Sequence, residues 1–404
     1  MTGGAAAITG TGLVTPAGTD VDATWAALCA ARSPESGDPG PLEGTGVWHS
    51  LRVPPLGEQL TGRGTARTDP FIRFALVAVD QALSEAGLDP GVWDGSRVGV
   101  VVGCGLGGVT TLEEGHQRLS RNGPEMVSPY MHPRSLINMA AGTLAMRLGI
   151  TGPSHTVVAA CASGAAAIGL AKTLLDAGTC DTVIACGTDA GVTPLVVSGF
   201  ARMGALSSHK GPDASRPFAA DRDGFVISEG AGAVVLERPA TALARHARVL
   251  GRLLGYGSTS DAYHPVSPHP EGVGAEAAVR QALDQAGLVP KDVGTFNAHG
   301  TSTPQNDRSE AQLIARVFPH GPSVTANKGL LGHTLGASGA IEAVLTLRSL
   351  RTGTVPPIAH TVRADPDLPD IDLVLGGVRR HGASVAVSTS FGFGGSNSAL
   401  VLDV

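Results

Sequence analysis

Along the chain, short apolar runs alternate with longer stretches in which apolar residues recur every three or four positions. AAAITGTGLV from Ala5, RVGVVVG from Arg97 and VGTFNAHG from Val293 read as strands. QALSEAGLDP (Gln81 to Pro90) and QALDQAGLVP (Gln281 to Pro290) each read as the end of an amphipathic helix closed by glycine, and each precedes one of those strands. A second pair repeats the pattern. After GPS at Gly152 and again at Gly321, the chain crosses a short segment and enters a helix with a small-residue start: ASGAAAIGLAKTLLDAGT from Ala162, ASGAIEAVLTLRSLRTGT from Ala337. Alternating strands and helices predict α/β layers, and the repeat predicts two duplicated halves, 1–248 and 249–404, in a pseudo-twofold arrangement of two packed mixed sheets. The extra length of the first half, roughly Gly107 to Leu148, is then an insertion of the kind that covers a pocket or forms a subunit interface.

Composition narrows the function classes. The chain has 404 residues, 42% of them apolar, with 56 glycines and few aromatics, which suits close backbone approach rather than a bulky core. A net charge of −6 without a long basic run argues against a nucleic-acid surface. The five cysteines (Cys29, Cys104, Cys161, Cys180, Cys186) form no CxxC pair, so neither a disulfide framework nor a zinc site is expected. A reducing cytoplasm fits. No apolar run approaches membrane-spanning length and no basic segment opens the chain, so a soluble, unprocessed protein is expected.

Cys161 sits in VVAACASGAAAIG, directly before a predicted helix. Alone, a cysteine among alanines is core filling. Its place at a helix start is what changes the reading: free N–H groups and the positive end of the dipole are expected to lower its pKa, and Ala162, Ser163 and Gly164 leave room for a substrate. His299 leaves the end of the strand in FNAHGTSTPQND, Lys328 and His333 precede the mirrored helix in NKGLLGHTLGASG, and the glycines of STSFGFGGSN stand between two C-terminal strands. Each alone reads equally well as an ordinary loop or core residue. Together they fall at the sheet and helix ends of one duplicated core, where α/β sites are built.

These residues resemble the elongating β-ketoacyl-[acyl carrier protein] synthases along nearly the whole chain. VVAACASG, SRPFAADRDGFVISEGAG, NAHGTSTPQND, NKGLLGHTLGASGAIE and SFGFGGSN occur in the family's order. The resemblance implies the thiolase fold, with layers αβαβα, and decarboxylative condensation of an acyl chain with a malonyl unit. It assigns Cys161 as nucleophile, the backbone N–H groups of Cys161 and Phe393 as oxyanion hole, and neutral His299 and His333 as enolate donors from Nε2. Lys328 and Glu342 then orient the site, while Asp307 and Glu310 pin the loop after His299. Leu106, Tyr130, Met131 and Phe393 are expected to line or gate the acyl pocket, and Asp261 to Pro268 resembles a gating loop. Ala219, Ser228, Val266 and Asn306 depart from common family residues and leave the subfamily open.

The resemblance also implies a partner, an acyl carrier protein presenting substrates on phosphopantetheine, and a dimer, either with a second copy or with a chain-length factor. No cofactor or metal is then required. Because carrier proteins are acidic, Arg63, Arg67, Arg73, Arg202 and Lys210 are docking candidates. Four rivals are weaker. A chain-length factor lacks the nucleophile, a thiolase carries a second cysteine near its C-terminus, and initiating synthases have asparagine where this chain has His333. The fourth is a nucleotide site at GCGLGG, which fits GxGxxG from Gly103 but lacks a helix followed by an acid at the next strand end. Fatty acid and polyketide pathways are not separated by the sequence.

Overall fold

The computed structural model describes residues 4–34, 45, 47–60 and 67–404. Its N-terminal half runs β1 (Ala6–Val14), α1 (Pro70–Ala86), β2 (Val98–Gly103), α2 (Met139–Leu148), β3 (Ser154–Val157), α3 (Ser163–Asp176), β4 (Thr182–Ala190) and β5 (Ile227–Glu237). The C-terminal half repeats the series as β6 (Gly251–Ser260), α4 (Val273–Ala286), β7 (Thr295–Asn297), α5 (Pro304–Val317), β8 (Ser323–Thr325), α6 (Ser338–Thr352), β9 (Val385–Gly392) and β10 (Ser396–Asp403). In space the order is β3-β2-β4-β5-β1 in one half and β8-β7-β9-β10-β6 in the other. Both halves pair their first three strands in parallel and their last two joins antiparallel. Among the described residues, the two five-stranded sheets are continuous only through a short antiparallel contact, Ala6, Ala7 and Ile8 against Leu253, Arg252 and Gly251.

Side-chain alternation along the strands builds three cores. On β4, Val183 and Ala185 face α3 and α6 in the middle, while Ile184 and Cys186 face α1 and α2. On β10, Leu400 and Leu402 join the same middle layer, whereas Ala399 and Val401 face α4 and α5. Period-two burial on both faces is what a sheet between two helical layers requires. The result is the αβαβα stack, with α3 and α6 at its centre.

The glycine-rich strands have a direct cause. A Cβ at Gly10 or Gly12 of β1 would collide with the carbonyl oxygens of Ala82 and Ala78 on α1; a Cβ at Gly255 or Gly257 of β6 would collide with those of Ala282 and Ala278 on α4. Helix and strand therefore touch backbone to backbone. Where β1 and β6 have separated, their N–H groups are taken up by the same helices: Leu13 N–H donates to Gln81 at 3.0 Å and Ser258 N–H to Gln281 at 3.3 Å. That answers the repeated Gln of the two helix-end segments.

The insertion is shorter than the sequence suggested. Met139–Leu148 is the counterpart of α5, so the extra chain is the helix Val109–Asn122 with the short helix Met131–Ser135. Within Val109–Asn122 only Thr111 and Gly115 are buried. Leu112, Leu119, Met126, Leu136 and Met146 are exposed, as are Ser154 and His155 of the edge strand β3.

Candidate active site

β3 ends at Val157 and α3 begins at Ser163, leaving a tight turn for Cys161. The turn is held by Ser163, whose Oγ donates to Ala160 O at 2.6 Å and accepts Ala159 N–H at 2.9 Å. Ala160 takes the left-handed conformation (φ 48°) that aims the next residue outward. Cys161 is 8% exposed and lies on the wall of a cavity of about 240 Å³. Small residues are needed behind it: a Cβ at Gly164 would stand 2.7 Å from Ala340 N, so α3 and α6 cross at their first turns.

His299, His333 and Phe393 share that cavity with Cys161. The two imidazoles meet edge to face with centroids 5.4 Å apart. Lys328 Nζ donates to His299 O at 2.7 Å and approaches His299 Nδ1 at 3.2 Å, and it is ion-paired with Glu342. An ammonium has no lone pair, so it fixes Nδ1 of His299 as acceptor and puts the ring proton on Nε2. His333 reaches the same tautomer by another route, with Nδ1 accepting Leu335 N–H at 3.3 Å and facing Ser338 Oγ at 3.0 Å. Burial first, then the Lys328 charge, holds both histidines well below the usual imidazole range. They are neutral Nε2–H donors at pH 7.

The acids after His299 act on backbone. Glu310 accepts the N–H groups of His299 and Gly300, both at 2.8 Å, and the Thr389 hydroxyl at 2.7 Å. Asp307 accepts Phe218 N–H at 2.8 Å and lies 3.5 Å from Arg222. Burial pushes Glu310 and Glu342 up to about 7. Asn306, at a position where glycine is common in the family, donates to Asp307 at 3.1 Å.

The glycines of SFGFGGSN form the hairpin between β9 and β10, with Gly394 and Gly395 at φ 82° and 78°. The hairpin brings Phe393 to the cavity wall that Cys161 shares, and the N–H groups of Phe393 and of Cys161 itself pull the thiol's pKa down. Asp261 ties it to the preceding loop, accepting Asn397 Nδ2 at 2.8 Å and His269 N–H at 3.1 Å while its own N–H donates to Gly395 O at 2.9 Å. Val266, Ser267 and Pro268 of that loop line the cavity.

The expected acidic thiol is not found. Burial pushes Cys161 up to about 12; Lys328 and the two N–H groups pull it down, and Asp189 pushes it further up. A helix start lowers a cysteine pKa when water or cations reach the sulfur, and here desolvation outweighs it. The resting site holds a thiol.

Several sequence candidates lie elsewhere. Leu106 does not line the Cys161 cavity but packs near Leu335 against Gly191. Tyr130 is 67% exposed, and Met131 lies against Gly115 of the insertion helix. Arg202, exposed, ends a helix directly before Met203 at the cavity mouth. Arg67 and Lys210 are exposed, the latter 4.3 Å from the Trp48 ring centre, while half-buried Arg73 acts on buried Glu229. Arg63 lies outside the described residues. Sequence reasoning missed Thr301 and Thr303, whose hydroxyls meet at 2.8 Å on the cavity wall, and it missed Asp189. GCGLGG binds no external phosphate through Gly105 and Leu106, because Asp189 takes both of their N–H groups.

Among known proteins, the family model of the β-ketoacyl synthase N-terminal domain matches residues 5–242 and that of the C-terminal domain residues 250–362. The chain is 38% identical over 404 residues to 3-oxoacyl-[acyl-carrier-protein] synthase 2 of Staphylococcus aureus, covering 98% of this chain and 97% of that one. To the protein of the same name in a Synechocystis species it is 39% identical, covering 97% and 96%. Among solved structures it superposes on a β-ketoacyl synthase from Burkholderia phymatum with a TM-score of 0.92 at 29% identity, covering 99% of each chain. With the ishigamide ketosynthase/chain length factor the TM-score is 0.91 at 31% identity, covering 100% and 99%. By its sequence, its strand order and the cavity that gathers Cys161 with two histidines, the chain belongs to the β-ketoacyl synthase family.

Proposed function

We propose that this protein is an acyltransferase that condenses an acyl chain held on Cys161 with malonyl-[acyl carrier protein], in fatty acid or type II polyketide assembly. The observation that carries the reading is the convergence on one cavity of a helix-start thiol, two N–H groups on its sulfur and two imidazoles with Nε2–H fixed. The Cys161 thiol adds to the carrier thioester, its proton leaves with the carrier thiol, and the acyl chain stays on sulfur. His299 and His333 donate to the thioester oxygen of the malonyl unit as carbon dioxide departs and an enolate forms. The enolate carbon attacks the acyl-enzyme, whose oxyanion meets the N–H groups of Cys161 and Phe393, donors oriented before the reaction. Collapse frees the Cys161 thiolate, which takes a proton as the extended chain remains on the carrier. Lys328, Glu342, Asp307 and Glu310 hold the histidines and the backbone around them.

No electron leaves or enters in this sequence of steps, so it calls on no cofactor; the substrates ride on phosphopantetheine. An acidic carrier protein fits Arg67, Arg202 and Lys210 outside the cavity. The exposed apolar side chains and the β3 edge fit a dimer face for a second copy or a chain-length factor. Among the described residues no helix is long and apolar enough to cross a membrane, and the free cysteines suit a reducing cytoplasm. The division at residue 248 falls between β5 and β6.

Cys161→Ala tests the reading. The variant should fold, and radiolabel from an acyl carrier should no longer become protein-bound. Substantial labelling would place the nucleophile elsewhere.

A further inference from the structure

The duplication gives each residue of the Cys161 turn a counterpart in the other half. The registers of β2 with β4 and of β7 with β9, with the repeated Ala-Ser-Gly at the helix starts, set Cys161 against Gly336, Ala160 against Leu335, Cys104 against His299 and Asp189 against Phe391. The backbone agrees: Leu335 has φ 51° where Ala160 has 48°. Gly336 N–H is therefore the mirror of the Cys161 N–H that faces sulfur and substrate. It does not face a cavity. It donates to Asp189 Oδ2 at 2.7 Å.

Asp189 is buried at the end of β4 and takes three further neutral donors: Gly105 N–H at 2.9 Å, Leu106 N–H at 3.0 Å and the Cys104 thiol at 3.2 Å. Gly105 and Leu106 belong to the N-terminal half, Gly336 to the C-terminal half, three residues after His333. One carboxylate thus ties the two halves beside the cavity. Successive N–H groups converging at a helix start form an anion-binding concavity. The fold makes that concavity twice, once at α3 for a substrate oxyanion and once at α6.

We propose that Asp189 is an internal anion that fills the second concavity, and that it acts as a positioning residue for condensation by locking the Gly105–Leu106 turn to the turn that carries His333. Its negative charge adds to the upward push that burial exerts on the Cys161 thiol. Burial raises Asp189 to about 6, still below neutral pH, and its charge is among the causes that push the Cys161 thiol up. Without the side chain, the concavity has the size and donors for a small carboxylate such as formate. The proposal rests on Cys161 being the nucleophile.

The test uses the full-length protein carrying Asp189→Ala, with formate as probe and chloride at equal ionic strength as control. Two quantities are read: the pH dependence of iodoacetamide alkylation at Cys161, located by peptide mass, and decarboxylation of malonyl-[acyl carrier protein]. The alkylation midpoint should fall by about one pH unit, since a negative charge near the sulfur has gone. Decarboxylation should fall about tenfold, and formate but not chloride should move both back toward wild type. A folded variant with an unmoved midpoint, or with no response to formate, overturns the proposal. If the variant does not fold, Asp189→Asn serves instead: it keeps the size of the side chain and loses its charge, so the midpoint should again fall. An unmoved midpoint there overturns the proposal as well. Were Cys161 not the nucleophile, acyl labelling of the Cys161→Ala variant would reveal it, while the alkylation midpoint would still report on Asp189.

Discussion

Two helices, α3 and α6, start from the same backbone device and do opposite things with it. Three residues separate Val157 from Cys161 at the start of α3, whereas nine separate the matching Ala326 from Gly336 at the start of α6. The short connection leaves Cys161 alone on the cavity wall. The long one carries Lys328 and His333, which fold back to join it. On the neighbouring strands, His299 stands at the end of β7 where Cys104 stands at the end of β2, so the C-terminal half supplies the donors and the N-terminal half the thiol. The two halves share one scaffold, and a few residue differences with one longer loop leave a single asymmetric site.

The asymmetry is broken most severely by removing the donors of the C-terminal half. His299→Ala and His333→Ala should each lower malonyl decarboxylation by about 10² to 10³, the range for losing one donor aimed at developing negative charge. Acyl transfer to Cys161 should survive, because the groups proposed for that step are the Cys161 thiol and the N–H groups of Cys161 and Phe393. Single-turnover labelling beside carbon dioxide release separates the two steps, and a variant that loses acylation but keeps decarboxylation would contradict the division of labour.

Next comes the long connection itself. Lys328 and Glu342 are both buried, and Lys328→Ala leaves the Glu342 charge without its partner. Stability should fall by about 3 to 5 kcal/mol, as for other buried pairs broken on one side. Lys328→Ala with Glu342→Gln should recover part of that loss, since the stranded charge is gone. Denaturant titration of the single and double variants checks this; a double variant no more stable than the single would show that the loss does not come from a stranded Glu342 charge.

What the sequence displayed and what it hid divide along the same line. The strand and helix order, the glycine caps and the motif residues Cys161, His299, Lys328, His333 and Phe393 were readable because each sits at an element end inside a continuous signature. The close approach of β1 to α1 was visible only as a surplus of glycine. Asp189 was hidden: it is one acid at the end of an apolar strand, and its partners are mainly backbone N–H groups, which carry no sequence signal. The acidity of Cys161 was misread because a helix start is local while desolvation depends on the packing of both halves. Leu106 was placed by family position, and only three dimensions show it beside Gly191.

The scaffold shared by the two halves offers a smaller and more even test. Gly12→Ala puts a Cβ against the Ala78 carbonyl and Gly257→Ala puts one against Ala278, both of them backbone atoms that cannot swing aside. Each should destabilise by about 1 to 3 kcal/mol, the range for overpacking a tight core. Equal shifts in melting temperature would show that strand and helix are pressed together alike in the halves; a neutral Gly257→Ala beside a damaging Gly12→Ala would show that the C-terminal pair can relax.

The weakest effect concerns the approach to the cavity, the proposed docking face for a carrier protein. Arg202 is exposed and adjoins Met203 on the cavity mouth, while the thiol it would serve is buried. A solvated arginine facing an acidic partner contributes about 1 kcal/mol or less, because water screens the pair and salt screens it further. Arg202→Glu should therefore raise KM for an acyl carrier protein by only a few-fold at low salt and leave kcat unchanged, since nothing around Cys161, His299 or His333 has moved. Raising ionic strength should erase most of the difference, and a small acyl thioester, which has no protein surface to dock, should show none. Comparing the two substrates across a salt series reads this directly. An equal loss with both would mean that the substitution has disturbed Met203 and the cavity mouth instead of the docking surface.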